Sequence, residues 1–139
     1  MENNIRKINI VNKEELVIKL YKKSDLLLFA TICDTLGFRW GGSMLRRTFF
    51  NVIGTNSESP FYKHFKRYGI YIRIHKGKLS WGSLCGTSEF IINMKGDDVV
   101  KFTPFETFYK MCVKLIKNVG YIKEFNLQYH INRKILKGL

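Results

Sequence analysis

The clearest alternation of apolar and polar positions runs through residues 70–81, where isoleucines alternate with polar side chains. A period of two residues is typical of a strand with one buried face. A Lys-Gly dipeptide can form the turn of a hairpin that pairs His75 with Lys78 and continues in step to Ile72 and Trp81. The hairpin then has one apolar face and one polar face, and the polar face carries Tyr71, Arg73, His75, Lys78 and Ser80.

Two segments place apolar residues at the spacing of a helix. The first, about residues 25–36, follows Ser24 as a predicted N-cap and ends at Gly37. The second follows the sequence Thr103-Pro104-Phe105-Glu106, which has the pattern of a complete capping box with proline at the first helical position. It continues at helical spacing to a stop at Gly120.

Shorter strands are predicted around Ile8 and Ile10, over residues 15–21, over 38–40 and over 89–94, although residues 14–22 could also coil as a helix.

Two longer stretches have a less regular pattern. Residues 43–68 are predicted to be mostly loop, with a short helix over 61–67. The last segment, 121–139, fits strand alternation in its middle and a helix at its end.

These elements predict an α+β fold, in which a small antiparallel sheet packs against two or three helices. A chain of 139 residues with 45% hydrophobic residues is enough for one core, so we expect a single domain over 1–139. Within it, the segment 121–139 either completes the domain or forms a basic extension.

The first residues lack the apolar stretch of a signal peptide, and the most apolar run, 26–33, is far shorter than the roughly 20 residues that span a bilayer. A cytoplasmic protein without a membrane partner is therefore expected. Three unpaired and widely spaced cysteines, Cys33, Cys85 and Cys112, are predicted to be buried free thiols.

Positive charge is concentrated in two parts of the chain. The net charge is +13, and residues 35–80 hold nine Lys/Arg against one acid, while residues 107–139 hold seven against one. The rest of the chain has eight bases against nine acids, so the whole excess comes from these two segments. Such clustering favours a basic surface for an anionic partner over a uniform compositional bias.

No sequence signature of a reaction is present. Nucleotide-binding glycine loops, protease and esterase motifs, and metal-spaced Cys/His sets are all missing from the sequence. His64, His75 and His130 lie far apart, and the one adjacent acidic pair, Asp97-Asp98, is typical of a solvated turn. We therefore expect no catalysis, no metal and no cofactor.

Basic side chains interleaved with aromatic ones suit a nucleic-acid backbone. On the hairpin, Arg73 and Lys78 could bind phosphate, Ser80 could donate a hydrogen bond, and Tyr71 or His75 could stack on a base. Trp40 and Trp81 are instead expected in the core. The other candidate anion-binding residues are Arg46, Arg47, Lys63, Lys66 and Arg67.

The order of a helix, the corner Gly37-Phe38-Arg39-Trp40-Gly41-Gly42-Ser43 and the strand segments Tyr71-Ile72-Arg73-Ile74 and Leu79-Ser80-Trp81-Gly82-Ser83 resembles small accessory proteins of bacteriophages and mobile elements. The resemblance covers roughly residues 14–93. It implies a phage or mobile-element context, in which counter-defence inhibitors such as anti-CRISPR proteins are a major class. It assigns no role to any residue.

The leading hypothesis is a non-catalytic, phage-encoded binder of nucleic acid, or of the nucleic-acid-facing surface of a host ribonucleoprotein such as a CRISPR effector, which it inhibits in the host cytosol. One alternative is a binder that sequesters a small anionic nucleotide between residues 41–68 and the hairpin. The other is a small nuclease that uses His64, His75 and Tyr71 as acid–base groups. The sequence leaves the oligomeric state open.

Overall fold

A computed structural model describes residues 16–41, 48–54, 58–85, 90–92 and 99–137. The predicted strand around Ile8 and Ile10, the candidate residues Arg46 and Arg47, and the acidic pair Asp97-Asp98 lie outside these residues. The described chain confirms the α+β class, with a sheet that packs against helices.

Four strands form the main sheet: β1 (Leu16–Leu20), β2 (Arg39–Trp40), β3 (Ile70–His75) and β4 (Lys78–Ser83), in the order β1-β3-β4-β2. The pairs β1–β3 and β3–β4 are antiparallel, but β2 pairs with β4 in parallel. The sheet is therefore mixed rather than purely antiparallel. The helix between β1 and β2 carries the chain back along the sheet, so both strands run in the same direction. Two further strands, β5 (Phe90–Ile92) and β6 (Val99–Lys101), pair with each other.

The hairpin of β3 and β4 has the predicted register, with His75 opposite Lys78 and Ile72 opposite Trp81. Its turn residues, Lys76 and Gly77, have φ angles of 52° and 76°. Positive φ at both positions matches the right-handed twist of the strands, even though lysine is less suited to it than asparagine.

Five helices are described: α1 (Lys23–Leu36), α2 (Phe49–Ile53), α3 (Pro60–Arg67), α4 (Phe105–Asn118) and α5 (Ile122–Lys137). Helix α1 is the centre of the core. It packs against α5, α4 and α2, and its buried side chains contact the apolar sheet face. Because eight of its residues are buried, α1 is apolar on most of its circumference rather than along a single stripe.

Helix α5 runs antiparallel to α1 and is part of the fold, not an extension. Leu136 near its end is 5% exposed and belongs to the same core cluster as Leu27 near the start of α1. Further along the pair, Asn132 contacts Thr31 and Gln128 contacts Asp34. The segment therefore forms a helix despite the strand alternation in its middle, because one helical face packs on α1.

Both predicted helix caps are wrong. Lys22, not Ser24, is the N-cap of α1, and Pro104, not Thr103, is the N-cap of α4. Neither cap residue makes a side-chain capping hydrogen bond. Thr103 is used differently: its N–H donates to the Val17 carbonyl at 2.8 Å and so extends the edge of β1. A bond to the sheet holds Thr103 outside the first turn of the helix.

The stretch 43–68 and the exposure of the cysteines also differ from the sequence prediction. The stretch 43–68 contains a helix that its pattern did not predict, α2, besides the predicted short helix, now α3. The side chains of Phe49 and Phe50 are buried in the core, so this segment packs against the rest of the fold. Of the three cysteines, Cys33 and Cys112 are buried as predicted, but Cys85 is exposed just after β4.

Candidate nucleic-acid interface

The polar face of the hairpin carries Tyr71, Arg73, His75, Lys78 and Ser80, as predicted. We call these five residues the hairpin face. His75, Lys78 and Ser80 are exposed, and Arg73 is half-buried in the middle of β3. The opposite side of the same strands is core, since Ile70, Ile72 and Ile74 are fully buried and Leu79 is 3% exposed. Strand alternation therefore sorts the charges onto the solvent side.

The Tyr71 ring is already packed. It lies over Gly82, its partner across the hairpin, so closely that a β-carbon at Gly82 would overlap the phenol. Phe102 meets the ring edge-on, with centroids 6.2 Å apart, and Lys19 Nζ lies 4.4 Å from the centroid of Phe102. Tyr71 thus serves as a packed part of the sheet surface, while Lys19 adds a cation nearby.

The basic residues of α3 lie on the other side of the sheet. Phe61 of α3 packs edge-on against Trp81, at 5.3 Å between centroids, and Phe61 and Phe65 belong to the core. Lys63, Lys66 and Arg67 are exposed on the outward side of this helix. Lys63 is paired with Glu58 at 3.7 Å. The sheet therefore separates the α3 cations from the hairpin face.

A second basic surface forms where three helices end. We call it the helix-end surface and define it by Lys23, Lys66, Arg133, Lys134 and Lys137. Three neighbouring depressions connect these residues, because two of them share Lys23 and Leu136 and two share Arg133 and Lys137. No acid is among the described residues that line them.

The antiparallel packing of α5 on α1 builds this surface. It brings the last turn of α5, with Lys134 and Lys137, to the first turn of α1, which begins at Lys23. Cations suit the negative end of a helix dipole, so the last turn of α5 is a favourable place for them. At Lys23 the dipole has the opposite sign, and an anion would be favoured there.

A polar cluster fixes α5 on α1. Asn132, which is fully buried, donates from Nδ2 to Asp34 Oδ2 at 3.2 Å, and Gln128 donates to the same oxygen at 3.4 Å. The other oxygen, Asp34 Oδ1, accepts from the N–H of Phe49 at 2.8 Å. Burial nevertheless raises the pKa of Asp34, because the loss of hydration outweighs the hydrogen bonds from Phe49 and Asn132 and the charge of Arg39.

Sequence reasoning missed four residues of the helix-end surface: Lys23, Arg133, Lys134 and Lys137. The charge excess of residues 107–139 was the available signal, and it did mark the region around α5. The sequence could not show that α5 ends beside Lys23 and Lys66, since both lysines precede α5 by more than fifty positions.

The proposed acid–base residues are not brought together. His64 Nδ1 lies 3.0 Å from Ser83 Oγ, at the Ile70 end of the hairpin. His75 lies at the opposite end of β3, about 17 Å along the strand at 3.3–3.4 Å per residue. Within the described ranges no three His, Cys, Asp or Glu side chains are grouped as a metal site would need.

A cavity of about 550 Å³ lies between β4 and the helices α2 and α3, in the region where the alternative hypothesis places a small anionic nucleotide. Its described lining is apolar and aromatic apart from Ser80 and includes no cation, so these residues supply no countercharge for a phosphate. Trp40 is buried as expected, with its indole N–H bonded to the Phe49 carbonyl, while Trp81 is only partly buried.

Comparison of the chain with models of protein families, with curated proteins and with solved structures found no match. Among the described residues, no helix combines the length and the apolar character that crossing a membrane requires.

Proposed function

We propose that the protein is a non-catalytic nucleic-acid-binding protein that holds its ligand on the helix-end surface. The observation that carries this proposal is the convergence of five cations from α1, α3 and α5 with no acid among the described residues that line the depressions between them. None of the five side chains makes an ion pair within the described part of the chain. Their charge is thus available to a polyanion.

The hairpin face provides a second basic patch on the opposite side of the sheet, with Arg73, His75 and Lys78. Two separate patches suit a partner that presents nucleic acid over a wide surface, such as a ribonucleoprotein. Together with the resemblance to phage accessory proteins, this supports a role as a phage-encoded inhibitor that covers the nucleic-acid-facing side of a host complex such as a CRISPR effector.

Binding of short labelled RNA and DNA strands, measured by fluorescence anisotropy over a series of salt concentrations, tests the proposal. The triple variant R133Q/K134Q/K137Q should bind more weakly, and the negative slope of log K against log salt should become shallower by about two. The matched control is K114Q/K117Q/K123Q, which removes the same charge from exposed positions of α4 and α5.

Equal losses in the two triple variants would mean that only net charge matters and would overturn the assignment to the helix-end surface. Absence of binding to both nucleic acids at low salt would remove the nucleic-acid proposal itself. If the isolated strands do not bind, a pull-down from the natural host with the protein as bait would show whether the partner is a protein complex.

A further inference from the structure

Two apolar side chains lie on the solvent side of α5. Leu127 is 64% exposed, the largest fraction among the large apolar side chains of the described residues, and Ile131 is 45% exposed. Neither belongs to the core or to the apolar residues that pack against it. Single exposed apolar residues are common on protein surfaces, but these two lie four positions apart on one helix, so their side chains are neighbours.

The fold does not account for this pair. Leu127 and Ile131 contribute to the strand alternation in the middle of 121–139, but α5 packs on α1 through the side that carries Asn132 and Leu136. At 3.6 residues per turn, Leu127 and Ile131 lie on roughly the opposite side of the helix. Adjacent apolar side chains that point away from the core are typical of a surface that contacts a partner.

Lysines lie at both ends of the apolar pair. Lys123 is four positions before Leu127, Lys134 is three positions after Ile131, and both are exposed. We call these four residues the outer row of α5; it extends over about 16 Å at 1.5 Å per residue. Neither lysine makes an ion pair within the described part of the chain. The one acid of α5, Glu124, lies in its first turn, beside the row.

We propose that the outer row of α5 docks an acidic, amphipathic helix of a partner protein. Helices pack along such rows of side chains, and an apolar pair at the same spacing on the partner would cover Leu127 and Ile131. Carboxylates at the two ends of the partner's row would meet Lys123 and Lys134. This contact goes beyond nucleic-acid binding, and it places the partner protein next to the helix-end surface, which shares Lys134.

The charges and the size of the row favour this occupant over two others. A second copy of α5 laid antiparallel on the row would bring Lys123 of one chain against Lys134 of the other, and like charges at an interface are costly. A lipid surface needs a broad apolar face to insert, whereas the row offers two apolar side chains and α1 occupies the other side of the helix. An acidic helix satisfies both the apolar pair and the lysines.

Selection of a displayed library of helical peptides, randomised on one face, against the full-length protein tests the proposal. Selected peptides should carry two apolar residues four positions apart with Asp or Glu on both sides. The double variant Leu127→Gln/Ile131→Gln should bind a labelled selected peptide at least about tenfold more weakly in fluorescence anisotropy. Glutamine forms helices as well as these residues do, so the variant should keep its melting temperature.

Matched controls come from α4. Met111→Gln also removes an exposed apolar side chain, which is 39% exposed, and should leave the peptide affinity unchanged. Lys123→Glu should weaken the peptide about threefold or more, whereas Lys114→Glu, the same charge reversal at an exposed position of α4, should have no such effect.

The proposal would be overturned if no selected peptide were sensitive to the double variant, or if the sensitive peptides lacked acidic residues. Binding to anionic phospholipid vesicles that the double variant loses would assign the row to a lipid surface instead. A dimer in sedimentation equilibrium that the double variant loses would assign it to a second copy. Either result would also overturn the proposal. The proposed function is tested separately, because Leu127 and Ile131 are not part of the helix-end surface.

Discussion

Asn132 Nδ2 donates to Asp34 Oδ2 across 3.2 Å and so joins α5 to the end of α1, 98 positions away in the sequence. Asn132 is fully buried, and it also accepts from Gln128 Nε2 at 3.0 Å and approaches Thr31 Oγ1 at 3.4 Å. Since Asp34 additionally binds the first N–H of α2, this one carboxylate ties three helices together.

Replacement of Asn132 by alanine should therefore lower the free energy of unfolding by about 1–3 kcal/mol, because it leaves buried partners unpaired. Urea denaturation followed by circular dichroism would measure the change. Asn126→Ala, at an exposed position of the same helix, is the control and should stay within about 0.5 kcal/mol of the parent protein. Similar effects from the two substitutions would show that the buried cluster contributes little.

The raised pKa of Asp34 predicts a particular pH dependence of stability. Below the unfolded pKa, near 3.9, the carboxyl is protonated in both states and the fold bears no cost of a buried charge. As the pH rises through the higher folded pKa, the group ionises in the fold as well, and stability is lost. Relative to Asp34→Asn, the parent protein should thus lose stability as the pH rises from 4 through the folded pKa. A relative gain over the same range would mean that the folded pKa is lowered.

The contact between Tyr71 and Gly82 predicts a specific coupling on the hairpin face. Gly82→Ala should destabilise the fold by about 1–3 kcal/mol, because the new methyl group displaces the Tyr71 ring from its place beside Phe102. In the Tyr71→Ala background the same change should cost at least about 0.5 kcal/mol less. A double-mutant cycle by thermal denaturation measures this difference, and additive effects would contradict the contact.

The three cysteines should differ in reactivity. Burial raises the pKa of Cys33 well above its ordinary value and that of Cys112 to about 12, whereas Cys85 is exposed. A thiol reagent added to the native protein at neutral pH should modify Cys85 rapidly, and all three cysteines only after denaturation. Mass spectrometry of peptides identifies the modified residue. Rapid modification of Cys112 in the native state would show that α4 opens readily.

Local sequence was sufficient to predict the structure wherever a pattern over a few neighbouring residues determines it. The hairpin register follows from alternation and a two-residue turn, and the end of α1 follows from Gly37, which takes a φ of 84°. The same pattern placed His75, Lys78 and Ser80 on the solvent side. These features depend on neighbours within a few residues along the chain.

Tertiary structure decided what local patterns left ambiguous or predicted wrongly. Thr103 has the sequence of a helix cap, yet its N–H bonds to Val17 at the edge of the sheet. The last segment is a helix because Asn132 and Leu136 are buried against α1. Backbone and side-chain groups have several possible partners of similar energy, and only the assembled core selects among them.

The sequence by itself determined the α+β class, the two-faced hairpin and the excess of positive charge in two segments. Tertiary structure alone decided that basic residues form two patches on opposite sides of the sheet, and that Lys23 and Lys66 line one depression. The physical reason is that a charge count is a property of composition, whereas a binding surface requires residues from distant segments to meet. Only the antiparallel packing of α5 on α1, with α3 beside them, brings them together.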